Sequence, residues 1–158
     1  MPIPKKIIKF LEKSKAKYET IPHRTVYTAF DKAKTLKIAE KIIGKTLILK
    51  LNGKLAIALI PANKNLDPKK IKKIAKVKKL DFASEKLIKN KFKGVKVGAI
   101  PPFGSLWKIP TCIDSSLIKE KEIIVNGGDY NFSIKIKPKE FKKIIADLFI
   151  GNYSQKKK

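Results

Sequence analysis

Gly44-Lys45-Thr46-Leu47-Ile48-Leu49-Lys50-Leu51, then Asn52-Gly53, then Lys54-Leu55-Ala56-Ile57-Ala58-Leu59-Ile60 is the stretch that decides the fold. Two apolar runs joined by Asn-Gly predict a β-hairpin, because both turn residues tolerate the positive φ of a type I′ turn. A two-residue turn pairs Leu51 with Lys54, Leu49 with Ala56, Leu47 with Ala58 and Lys45 with Ile60. Paired residues share a face, so Lys45 falls on the side of Leu47, Leu49, Leu51, Ala56 and Ala58, while Ile48, Leu55, Ile57 and Leu59 fill the other. A lysine at the mouth of such a face either reaches out to water or meets an anion. Gly44-Lys45-Thr46 mimics the end of a phosphate-binding P-loop, but Ala39 stands where that motif needs its first glycine. The triplet also opens a strand and not a helix, which excludes a nucleotide cradle.

The 158 residues suit one domain, and 43% hydrophobic content is that of a globular chain. The charge is the unusual feature: 38 Lys+Arg against 13 Asp+Glu gives a formal net +25, with Arg24 the single arginine. Such a potential favours a polyanion, nucleic acid before an acidic lipid surface, though scattered lysine also arises from compositional bias alone. Scarce arginine argues against reading base edges with bidentate forks. Cys112 and His23 are each the single residue of their type, which excludes an intramolecular disulfide and Cys/His zinc sites. The first residues lack a continuous apolar core and no run reaches transmembrane length, so no membrane association and a reducing, cytoplasmic setting are expected.

Outward from the hairpin, Pro4 to Lys15 reads as an amphipathic helix with Ile3 ahead of it, and Tyr18 to Ile21 as a short strand. Thr28 is placed to cap a helix over Ala29 to Leu36, and Asp67-Pro68 to open one through Lys76. Lys79 to Ala83 is a strand and Ser84 the cap of a helix to about Phe92. Thr111 to Asp114, Glu122 to Val125 and Phe132 to Ile136 are further strands, and Pro138 to Leu148 is a closing helix. The expected organisation is one mixed α/β domain over residues 1–150 followed by a basic, disordered tail over 151–158.

Three features accompany Lys45. Gly94-Val-Lys-Val-Gly98-Ala-Ile-Pro-Pro102-Phe-Gly104 combines glycines, which let backbone approach a ligand, with prolines that fix the loop. Its N–H groups could serve an oxyanion. Asp114 ends a strand, and Asn126-Gly127-Gly128 forms a turn that either closes a hairpin or lines a pocket. His23 is a candidate general base or, alternatively, a structural loop residue after Pro22. Cys112, in an apolar strand, reads as a buried hydrophobe. Phe103 is read as core, with Trp107 left open between core and base stacking.

In this order, Lys45-Thr46-Leu47, Pro61-Ala62, Leu66 to Ile71, Gly94-x-x-x-Gly98, Pro102-Phe103-Gly104, Ile109-Pro110, Asp114 and Gly127-Gly128 resemble the YbaK/prolyl-tRNA synthetase-associated editing domain family. The resemblance runs from His23 to about Leu148. It implies a curved, barrel-like mixed sheet surrounded by helices, and hydrolysis in trans of the ester between a wrong amino acid, of the cysteine or alanine kind, and tRNA. No metal or other cofactor is implied; the partners are mischarged tRNA and, as a candidate, an aminoacyl-tRNA synthetase. The same resemblance assigns Lys45, Gly98 and Asp114 to catalysis. It assigns His23, Thr46, Ala99, Ile100, Pro102, Asn126, Gly127 and Gly128 to substrate binding. Lys45 would bind a terminal phosphate or polarise the ester. Asn126, Ala99, Pro101 and Asn131 depart from the family pattern and bear on which amino acid is accepted. The alternative is a catalytically silent tRNA-binding or adaptor module on the same fold.

Overall fold

The computed structural model describes residues 4–157, so Ile3 and Lys158 lie outside the described residues. In chain order the elements are α1 (Lys5–Lys13), β1 (Tyr18–Pro22), α2 (Ala29–Leu36), β2 (Gly44–Leu51), β3 (Lys54–Pro61), β4 (Lys64–Leu66), α3 (Pro68–Ala75), β5 (Leu80–Phe82) and α4 (Glu85–Lys91). They continue with β6 (Thr111–Asp114), α5 (Ser115–Ile118), β7 (Ile123–Asn126), β8 (Phe132–Ile136), α6 (Pro138–Ile144), β9 (Leu148–Gly151) and β10 (Ser154–Lys156). Short 3-10 turns lie at Glu40–Ile42 and Gly104–Trp107.

The β2–β3 hairpin has the register its turn dictates, Lys45↔Ile60 through Leu51↔Lys54, with Asn52 and Gly53 at φ 50° and 83°. Around it stands a five-stranded mixed sheet in the order β5-β2-β3-β6-β9, with β3, β6 and β9 parallel and β5, β2 and β3 antiparallel. Period two separates the hairpin's side chains into two cores. Ile48, Ile57 and Leu59 join Ile7, Leu11, Phe103, Val125, Ile134 and Phe141 on one side. Leu49, Ala58 and Ile60 join Leu66, Ile71, Cys112 and Tyr153 on the other. Ile57, Leu59 and Ile60 are fully buried, each worth about 2 kcal/mol of transfer free energy. Helix starts follow their caps: Thr28 accepts from Asp31 N, Asp67 from Lys69 N and Lys70 N with Pro68 at the first position, and Ser84 from Leu87 N.

Two expectations are corrected. The sheet is not barrel-like: β1-β8-β7 is a separate antiparallel sheet, β10-β4 a separate pair, and none closes on itself. β7 meets the residue ahead of β2 through one isolated parallel bridge, Ile43↔Ile124, too little pairing to join the two sheets into a closed barrel.

The second correction concerns the C-terminus. The closing helix stops at Ile144, Leu148–Gly151 becomes β9 beside β6, and Ser154–Lys156 pairs with β4, so the segment expected as a disordered tail ends one strand and contains another. Tyr153, 1% exposed, is the reason: its ring fills the second core and its backbone is held at both ends. Its N–H donates to Asp114 Oδ1 at 2.8 Å, and its carbonyl accepts from Asp67 N at 2.8 Å. One buried aromatic outweighs the lysines that follow it.

Candidate functional site

Three segments remote in sequence converge beside the open end of the hairpin. The first is α2, whose inward face carries Ala33 and, beside it, Lys32 with 6% exposure. The second is the start of β2. The third is the loop of residues 94–100 together with the end of β7. That loop is fixed by backbone: Ala99 N donates to Lys96 O, Lys96 N to Gly128 O and Gly128 N to Ala99 O, each at 2.9–3.0 Å. Gly98 has φ +86° and Gly128 φ +101°, conformations that favour glycine, and a Cβ on Gly128 would press on Pro4 and Val95 at 3.1–3.2 Å. Gly98 N–H finds no acceptor among the described residues and remains a free donor.

These segments enclose a cavity of about 240 Å³ lined by Val26, Tyr27, Lys32, Lys45, Thr46, Gly98, Ala99, Asn126, Asp129 and Tyr130, among others. A second cavity of about 250 Å³ adjoins it, sharing Thr46, Gly98 and Asn126 and lined beyond them by Leu47, Ile48, Phe82, Ala83, Ile88, Val97 and Ile100. Lys32 Nζ donates to Asn126 Oδ1 at 2.9 Å, and Asn126 Nδ2 donates to the Ile100 carbonyl at 3.1 Å. The amide is thereby oriented, with Oδ1 toward the lysine. Thr46 Oγ1 is buried without a partner among the described residues. Burial pushes the Lys32 ammonium down to about 8. Lys45 is also lowered, first by burial and then by the like charge of Lys157, with Glu40 opposing; its Nζ donates to the Lys64 carbonyl at 3.2 Å.

Of the residues expected from sequence, Lys45, Thr46, Gly98, Ala99 and Asn126 line the first cavity and Ile100 the second. Gly127 and Gly128 are buried behind it, where a Cβ on Gly127 would meet the Phe132 carbonyl at 3.2 Å. Pro102 is buried and lines neither cavity.

Asp114 is elsewhere. It is 1% exposed and accepts from Tyr153 N, Ser116 N and Ser116 Oγ, which makes it the clasp between β6, α5 and the C-terminal strands. His23 also lies outside the cavity lining. Its Nδ1 donates to the Arg24 carbonyl at 2.7 Å, leaving Nε2 to accept from Ser133 Oγ at 2.9 Å. Burial lowers its pKa, the Arg24 carbonyl opposes, and the charge of Lys32 lowers it further.

Cys112 is buried with its thiol pushed up to about 11, mainly by burial, the state of a packing residue. Phe103 and Trp107 are both core, Trp107 standing edge-on to Phe92. Sequence reading missed Lys32 and Tyr27. Tyr27 is 68% exposed on the cavity wall and tilts against Tyr130 with ring centroids 4.8 Å apart. The available signal was a lysine at an inward position of a capped helix, between Ala29 and Ala33.

A small mixed α/β domain with a donor-rich cavity at the mouth of its central hairpin defines the class. The sequence model of the aminoacyl-tRNA editing domain matches residues 23–144, and the chain belongs to that family. Among solved structures it is similar to a hypothetical protein, with 22% identity, TM-score 0.86, and 96% of this chain and 100% of that one covered. It is also similar to a protein whose description proposes a trans-editing role for prolyl-tRNA synthetase, with 20% identity, TM-score 0.82 and 98% of each chain covered. At these identities the likeness carries the fold. No helix among the described residues is long and apolar enough to cross a membrane, and no group of three His, Cys, Asp or Glu converges there.

Proposed function

We propose that the chain hydrolyses the ester of mischarged aminoacyl-tRNA in trans, with small aminoacyl groups of the cysteine or alanine kind as substrates. The observation that carries this reading is the convergence of Lys45, Thr46, Gly98 and Asn126 on one cavity with a free Gly98 N–H. An aminoacyl ester is already activated, so the protein has to hold the terminal nucleotide and stabilise negative charge on the carbonyl oxygen. Water adds to the acyl carbon and the bond to the ribose oxygen breaks. The water's proton passes to that oxygen, giving free amino acid and uncharged tRNA.

Gly98 N–H is the oxyanion donor, and Lys45, swung from the Lys64 carbonyl, polarises the ester from the cavity rim. The net +25 supplies attraction to tRNA, and a synthetase is the natural source of its substrate. The test is release of amino acid from tRNAs mischarged with alanine, serine, cysteine or threonine, comparing wild type with Lys45→Ala. Loss of about 10²-fold or more in kcat with tRNA affinity retained is expected. Hydrolysis that ignores the substitution refutes the assignment of Lys45. Failure of the wild type on every ester refutes the reaction for these substrates and favours the adaptor reading.

A further inference from the structure

The two adjoining cavities differ in chemistry. The one on the α2 side holds Lys32, Lys45, Asp129 and the exposed ring of Tyr27; the other, beyond Thr46, Gly98 and Asn126, is walled by Leu47, Ile48, Phe82, Ile88 and Val97. Lys32 is the anomaly. Its side chain is 6% exposed, its one hydrogen-bond partner is the neutral Asn126 amide, and it takes part in none of the ion pairs among the described residues. Asp129, on the same wall, is not within ion-pair reach of it, and the Asp129 carboxylate accepts from Tyr130 N at 2.7 Å. A buried ammonium with N–H donors to spare is costly in the empty protein and favourable once an oxyanion enters.

We propose that Lys32 is a positioning residue that binds the phosphate of the substrate's terminal nucleotide, so that the aminoacyl side chain lies across the Thr46, Gly98 and Asn126 partition in the apolar cavity. The inference rests on the aminoacyl-ester reading and adds a direction to it. Tyr27 supports that direction, because an exposed aromatic face beside the ammonium suits a base attached to the phosphate. The apolar cavity suits an uncharged side chain and offers no group to pair with an acidic one.

The first measurement is binding of adenosine 5′-monophosphate against adenosine by calorimetry, with wild type, Lys32→Met and Lys32→Arg. Wild type is expected to prefer the phosphorylated form by about tenfold, Lys32→Met to lose the preference, and Lys32→Arg to regain part of it. The second is hydrolysis of 3′-alanyl esters of the same two compounds, in which Lys32→Met should act on KM for the phosphorylated ester and spare the ratio of kcat values. Val97→Trp, which narrows the apolar cavity, should raise KM for the ester with no parallel loss of nucleotide binding.

A phosphate preference that survives Lys32→Met overturns the proposal, as does an equal loss on both compounds, the mark of a merely structural residue. Blocked nucleotide binding in Val97→Trp overturns the direction. Phosphate preference that requires Lys32 in a protein hydrolysing no ester would leave the binding site standing and refute the reaction.

Discussion

Two buried charges, one at an end of the central sheet and one on a helix beside it, are treated in opposite ways. Asp114, 1% exposed at the end of β6, receives three donors from Ser116 and Tyr153 and locks the C-terminal strands to the sheet. Lys32, 6% exposed on α2, has one neutral acceptor and faces a cavity. Burial alone is therefore no guide to function. A buried charge whose hydrogen-bonding capacity is filled by its own chain is part of the scaffold, whereas one left short of partners is poised for something from outside. The scaffold carboxylate holds the strands that cover one side of the hairpin, while the poised lysine stands at its open end.

Removing the satisfied charge should have the largest effect. Asp114→Ala leaves Tyr153 N and Ser116 N without their acceptor inside the protein, and a loss of about 3–5 kcal/mol is expected in urea unfolding. For a chain of this size that corresponds to roughly 10 °C or more in Tm. The damage should be greatest in β9 and β10, read as early amide exchange of residues 148–156. A substitution that costs under about 1 kcal/mol would show that Asp114 is not the clasp and would return it to the list of residues with a chemical task.

Removing the unsatisfied charge should act with the opposite sign. The folded-state pKa of Lys32 is lowered to about 8 from 10.5, so between those values the unfolded chain binds the proton that the folded chain has released. Stability from this group therefore rises with pH across that window, and below about pH 8 the folded state carries the full cost of the buried ammonium. Lys32→Met should be more stable than wild type at pH 7, by up to about 3 kcal/mol. The advantage should fade between pH 8 and 10.5 as wild type loses its charge. The cavity also contains Lys45 and Asp129, common to both proteins, and His23, which feels Lys32 from outside it, is held below 6.5 and so is mostly neutral across this window in either protein. An advantage independent of pH would mean that methionine gains by packing alone.

The same contrast explains what could be read from the sequence. Local chemistry was legible wherever it was sufficient: Asn52-Gly53 fixed the hairpin register, and Thr28, Asp67-Pro68 and Ser84 fixed helix starts. Lys45, Thr46, Gly98 and Asn126, which line the first cavity, stand out in the sequence because each carries a local signature or a resemblance. The C-terminal strands were not legible, because a run of lysines after Tyr153 has the composition of a tail. What orders it is a contact with Asp114, 39 residues away. Asp114 was given a chemical task because a carboxylate at a strand end looks alike whether its partners are substrate or backbone. Lys32 was missed because, in a chain with 38 Lys+Arg, one more lysine on a helix carries no information until its surroundings are known.

The smallest expected effect isolates the electrostatic part of the comparison. His23 is the single histidine, so its ring protons give one titration curve without assignment. Its pKa is held below the ordinary 6.5, first by burial and then, against the Arg24 carbonyl, by the positive charge of Lys32. Because Lys32 loses its proton only near pH 8, it is still charged throughout the range in which His23 titrates. Lys32→Met removes that charge while leaving the histidine's burial and its bonds to Arg24 and Ser133 in place, so the His23 titration should move up toward 6.5 without reaching it. A phosphate bound to Lys32 in the wild type should move it the same way by cancelling the charge. If neither change shifts the curve, the field of Lys32 is already neutralised in solution, and the buried ammonium is not waiting for an anion.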